Sequence, residues 1–222
     1  PAAALVLPRV GDAWSVDAEA VLALRPDLVL SWPSGTPAGT VARLRSLGVE
    51  VVEIPTFRLV DVATALRSVG RIAGTEAVAE GAARRYEIEI RDLRASHLGV
   101  RRVDVFIEID DEPLYTVNGR HVISEVVDLC GGRNVFADLP QLAPPVAIEA
   151  VLAHDPDVIL STDDTTSDPA ALWRRWGGLK AVKTGSIYSM SSDTLTRSTP
   201  RLAVGAGEVC AALDDVRRKQ GK

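Results

Sequence analysis

Residues 19–31 read EAVLALRPDLVLS, and residues 149–161 read EAVLAHDPDVILS. Nine of the thirteen positions are identical at a constant offset of 130, which marks an internal repeat. In each copy a glutamate opens a short helical run that a proline stops, Pro26 or Pro156. A continuous apolar triplet follows, Leu28-Val29-Leu30 or Val158-Ile159-Leu160. Such a triplet suits a strand buried on both faces of a parallel sheet. Each copy then enters a polar loop, SWPSGTPAGT at 31–40 and STDDTTSDPA at 161–170. Helix and strand patterns recur beyond the loops, over 40–47 and 49–54, then over 170–180 and 186–190. The alternation predicts an α/β fold of two parallel-sheet lobes.

Between the copies, apolar residues recur at three- and four-residue spacing from Glu76 to Leu98, and Gly99 follows as a stop. A helix of that length spans about 35 Å. It predicts a long hinge helix, so the chain divides into an N-terminal lobe at 1–75, a linking helix at 76–99 and a C-terminal lobe at 100–222. In the second lobe a strand 102–109 and a helix 121–129 come first, and a last helix runs from about 200 to 218. In that lobe 49 residues precede Glu149, whereas only 18 precede Glu19. The N-terminal lobe therefore reads as truncated by about one β-α unit.

Composition narrows the function. The 222 residues are 46% hydrophobic and 25% charged, with a formal net charge of -5. That apolar fraction excludes a disordered chain, and the acidic balance argues against a nucleic-acid partner. No apolar run approaches the roughly 20 residues that span a bilayer. The opening PAAALVLPRVGD lacks the basic n-region of a signal peptide, so an export signal is expected to be absent from these residues. Cys130 and Cys210 are the only cysteines. They are too few for a zinc site, and either two reduced thiols or one disulfide suits them. The residues His97, His121 and His154 fall on separate predicted helices, so no metal site is expected. No nucleophile–base motif is present, and the chain is not expected to be an enzyme.

Ligands of open α/β sheets bind beyond the carboxyl ends of the strands. Trp32 and Tyr115 stand in such loops as candidate ligand platforms, and Trp14 lies in the loop before the first repeat. Trp173 and Trp176, three apart on the predicted helix 170–180, read as packing residues. Glu19 and Glu149 open the two repeat helices, where the helix dipole favours a carboxylate. Their recurrence on equivalent surfaces also suggests a paired docking feature.

At these residues the chain resembles the substrate-binding proteins of ABC importers that have a helical hinge, most closely the cobalamin-binding branch. EAVLALRPDLVLSW (19–32), LRSLGVEV (44–51), PLYTVNG (113–119), VVDLCGGRNVF (126–136), EAVLAHDPDVIL (149–160), DTLTRSTPR (193–201) and VCAAL (209–213) carry the resemblance. It implies a periplasmic or otherwise extracytoplasmic protein that binds cobalamin or a related corrinoid between its lobes, with no resident cofactor. Glu19 and Glu149 would dock onto the transmembrane subunits of the importer. Cys130 and Cys210 would form a disulfide, and Trp32, Tyr115, Asp193 and Arg197 would line the cleft. The sequence departs from that branch at Ala143 and at Thr194-Leu195, where the branch carries aromatic residues. Haem or a ferric siderophore is the alternative ligand, with Tyr115 or His121 approaching iron. A truncated, non-transporting interaction protein that self-associates through an open sheet edge is the second alternative.

Overall fold

Asp17 starts the first element by accepting the backbone N–H groups of Glu19 and Ala20 at 2.9 and 3.0 Å. Helix α1 (Ala18–Ala23) leads to strand β1 (Val29–Ser31), helix α2 (Ala38–Ser46) and strand β2 (Val51–Glu53). The structure, a computed structural model, describes residues 4–12, 15–33, 35–162 and 168–221. Among these residues the chain separates into two compact units, 1–56 and 57–222. In the first unit β1 and β2 pair in parallel, Val29 opposite Val51. Ala18, Val21, Val41, Leu44, Val49 and Val51 form its core.

The second unit opens with two packed helices, α3 (Leu59–Ile72) and α4 (Glu76–Ser96). The periodicity located α4 within two residues but did not anticipate α3. An ideal Cβ at Gly70 would fall 2.3 Å from the Ala79 Cβ, so glycine sets how closely the two helices approach. Arg67 joins them further, reaching Glu80 at 2.7 Å and Glu87 at 2.6 Å.

Strand β3 (Val103–Glu108) follows, then the short hairpin β4 (Asp110–Asp111) and β5 (Leu114–Tyr115). Next come α5 (Val122–Leu129), β6 (Gly132–Asn134), α6 (Ile148–His154) and β7 (Val158–Thr162). The chain ends with α7 (Lys180–Lys183), β8 (Ile187–Met190), α8 (Ser192–Leu195) and α9 (Leu202–Gln220). Strands β6, β3, β7 and β8 form one parallel sheet in that order. Every residue of β7 is buried, as expected of a strand covered on both faces. Leu202, Ala206, Val209, Leu213 and Val216 place one stripe of α9 in the core that α3, α4 and α5 share. Cys130 at the end of α5 is bonded to Cys210 in α9, with their Cα atoms 4.8 Å apart.

The repeat is a repeat of backbone geometry. β7 pairs with β8 in the register β1 uses with β2, Ile159 standing opposite Ile187 as Val29 stands opposite Val51. The surroundings differ. Leu160 is 1% exposed between β3 and β8, while Leu30, its counterpart, is 46% exposed.

The segment 170–180 departs from the expected helix. Trp173, Trp176 and Leu179 each donate a backbone N–H to the carbonyl three residues earlier, at 2.8–3.1 Å, giving successive tight turns. Gly177 and Gly178 disfavour a continued helix. Only α7 is regular, and Trp173 still faces inward, completely buried.

Candidate functional site

The carboxyl ends of β3 and β8 open into 109–118 and 191–201. These segments place the candidate residues of the second unit along one edge of one sheet. The Ile109 N–H donates to the Tyr115 carbonyl at 3.0 Å, closing the β4–β5 hairpin. Thr116 and Asn118 donate to the Pro144 and Leu142 carbonyls at 3.1 and 2.9 Å, and Val146 donates back to Leu114 at 2.9 Å. Tyr115 is thus half-buried on a backbone pinned from both sides. Ala143 lies exposed in the partner segment.

Helix α8 brings Asp193 and Arg197 together as expected from their four-residue spacing, at 2.8 Å. Arg201 approaches the other oxygen of Asp193 at 3.4 Å, a contact the sequence reading did not single out. All three side chains are more than two-fifths exposed. Such pairs add little stability in water. They can exchange one another for hydrogen-bonding groups of a ligand at small cost.

In the first unit Trp32 ends β1 and is 42% exposed. Its loop turns back at once, the Gly35 and Thr36 N–H groups donating to the Trp32 carbonyl at 3.0 and 2.7 Å. The indole lies on Gly35, where an ideal Cβ would stand 2.5 Å from the ring. A small residue there lets an aromatic face be held flat yet open to solvent. Trp14 lies outside the described residues, as do 163–167 of the other candidate loop.

Glu19 and Glu149 occupy the first turns of α1 and α6 and are both exposed. No helix among the described residues is long and apolar enough to cross a membrane. No group of three or more His, Cys, Asp or Glu among them is arranged to hold a metal ion.

His121 is engaged locally. Its Nδ1 accepts the Ile123 N–H at 3.2 Å, capping α5. Burial pushes its pKa down to about 4, so the ring is neutral near pH 7. With Nδ1 an acceptor, the single proton of the neutral ring sits on Nε2.

Sequence reasoning missed Glu108. It ends β3 with no exposure, accepting the Ser161 hydroxyl at 2.8 Å and the Trp173 indole N–H at 2.6 Å. Burial pushes its carboxyl pKa up, and the two hydrogen bonds oppose that only in part. A charged residue closing an apolar strand was the available signal. A cavity of about 360 Å³ lies elsewhere, lined by Arg58, Gly119, Arg120, Ser124, Glu125 and Asp128. None of the expected ligand contacts lines it.

Residues 2–194 match the family described as periplasmic binding protein. The chain is 32% identical over 215 residues to the vitamin B12-binding protein of Vibrio parahaemolyticus, covering 96% of this chain and 78% of that one. The crystal structure of the periplasmic vitamin B12-binding protein of Vibrio cholerae superposes with a TM-score of 0.88. Its identity is 32%, and 96% and 84% of the two chains are covered. A periplasmic heme-binding protein from Pseudomonas aeruginosa gives a TM-score of 0.81 at 25% identity, with coverage of 96% and 80%. With its α/β fold of parallel sheets and a match extending over most of its length, the chain belongs to the periplasmic binding protein family.

Proposed function

We propose that this protein is the extracytoplasmic solute-binding component of an ABC importer and carries cobalamin or a related corrinoid to the membrane permease. The likeness to vitamin B12-binding proteins at 32% identity over nearly the whole chain carries the reading. Trp32 and Tyr115 offer aromatic faces that suit a flat macrocycle. Asp193 and Arg197 suit the amide groups around its rim, since one accepts and the other donates. Glu19 and Glu149 serve as the two docking carboxylates for the transmembrane subunits. The function needs binding and release and no bond-making step, so no catalytic residue is assigned. Titration of the purified protein with cyanocobalamin, followed by calorimetry, tests the reading. Saturable one-to-one binding is expected, and no heat of binding up to high micromolar ligand would sink it.

Haem is the second reading, favoured by the likeness to the Pseudomonas aeruginosa protein. Tyr115 is then the residue to approach iron. A Soret shift on adding haem, with no response to cyanocobalamin, would replace the first reading by this one.

A further inference from the structure

A carboxylate with no exposure and no cationic partner is costly to bury. Among the described residues Glu108 is such a group, and it sits where β3 gives way to the segment carrying Tyr115. We propose that Glu108 is a positioning residue: by accepting from Ser161 and Trp173 together it fixes the 170–176 turns and the segment that leaves β3 at the ligand edge of the sheet.

The geometry joins three stretches of chain at one side chain. Ser161 belongs to β7 and reaches Oε1 at 2.8 Å, and Trp173 comes from the turns 170–176 and reaches Oε2 at 2.6 Å. Each carboxylate oxygen therefore holds a different segment. Trp173 is completely buried, edge-on to Phe106 with ring centroids 5.6 Å apart. Removing its acceptor would orphan a buried N–H, which is more damaging than losing a bond to solvent. The next residue, Ile109, bonds the Tyr115 carbonyl at 3.0 Å and also accepts from the Thr162 hydroxyl at 3.4 Å. The Thr116 hydroxyl donates to the Ile107 carbonyl at 2.7 Å on the other side. Anchoring Glu108 thus anchors the backbone on which Tyr115 stands. Apolar packing alone would bury the strand end without selecting the orientation of the 170–176 turns.

The ligand arm of the test rests on the corrinoid reading, and the exchange arm does not. Amide hydrogen exchange and cyanocobalamin affinity are measured for Glu108→Gln and Glu108→Leu. Glutamine keeps a carbonyl for Trp173, and its amide can donate to Ser161, whose hydroxyl turns to accept. It is expected to retain wild-type exchange and affinity within about threefold. Leucine removes both acceptors and is expected to speed exchange at least tenfold in 109–118 and 168–176, with much less change in β6 and α9. Affinity is expected to fall at least tenfold with it. Equal behaviour of the two variants, or faster exchange spread evenly over the unit, would overturn the proposal. Should Glu108→Leu not fold, Trp173→Phe removes one donor and must loosen 168–176 preferentially. If it does not, the proposal also fails. A wild-type protein that does not bind cyanocobalamin defeats the corrinoid reading alone, because the exchange comparison still decides the role of Glu108.

Discussion

Arg25 and Asp155 stand 130 positions apart and share a left-handed backbone, with φ of 47° and 44°. They are the only non-glycine residues in that conformation among those described. Each separates a repeat helix from its proline, but the exits differ: the Arg25 N–H reaches the Leu22 carbonyl three residues back at 3.0 Å, and the Asp155 N–H reaches the Val151 carbonyl four back at 3.1 Å. The left-handed region costs a side-chain-bearing residue about 1–2 kcal/mol.

The two positions should nevertheless answer differently to glycine. Arg25 is exposed, and among the described residues its side chain caps nothing, so Arg25→Gly should stabilise the protein by about 0.5–1 kcal/mol. Asp155 accepts the Lys180 N–H at 2.9 Å and pairs with its ammonium at 3.3 Å. Asp155→Gly gains the same relief but loses that cap, and should be neutral or destabilising by up to about 1 kcal/mol. Urea denaturation of the two variants checks the opposite signs.

Leu30 and Leu160 offer a second contrast within the repeat. Leu160→Ala should cost about 2–5 kcal/mol, as expected of a leucine removed from a close-packed core. Leu30→Ala, with 46% of the residue already exposed, should cost less than about 1 kcal/mol. Equal denaturation midpoints for the two variants would contradict the difference in burial.

The Cys130–Cys210 bond closes a loop across a sequence separation of 80 and ties α5 to α9. Its removal should lower stability by about 2–5 kcal/mol. Cys130→Ala with Cys210→Ala, compared with the oxidised protein in urea, gives the value. An Ellman assay on the denatured oxidised protein should find no free thiol.

His121 predicts a pH dependence with a definite sign. Its folded pKa of about 4 lies below the ordinary value of 6.5, so the unfolded chain binds more protons between those limits. Stability contributed by the neutral ring is complete above about pH 6.5 and is lost as pH falls toward 4, by at most about 3 kcal/mol. Glu108 works in the opposite sense. Its raised pKa makes the folded state the better proton binder just above the ordinary carboxyl range, so its contribution falls as pH rises there. His121→Asn keeps a capping acceptor without the titration. Subtracting its stability profile from that of the wild type over pH 4–7 should isolate the histidine slope, and parallel profiles would refute it.

Charge reversal at Glu19 and Glu149 together should abolish importer-dependent uptake while leaving cyanocobalamin affinity within about twofold. Both side chains are exposed in first helical turns, so losing the favourable dipole contact costs only about 0.3–1 kcal/mol each. A collapse of affinity in the double variant would remove the docking assignment.

The features legible in the residues alone are local and periodic. The repeat, the parallel strands and the helix 76–96 all depend on neighbours a few residues away. Residue identities and spacing report such neighbours directly. Helix α3 was not anticipated, although Leu59, Val62, Ala63 and Leu66 give it a helical apolar face. The turns 170–176 were read as a helix because the Trp173–Trp176 spacing suits either structure. Only tertiary structure decided between them, by placing the Trp173 indole against Glu108, 65 positions earlier. The same holds for Leu30 and Leu160, which occupy equivalent positions of the repeat. One is covered by β3 and the other is open, because burial depends on strands brought alongside from elsewhere in the chain.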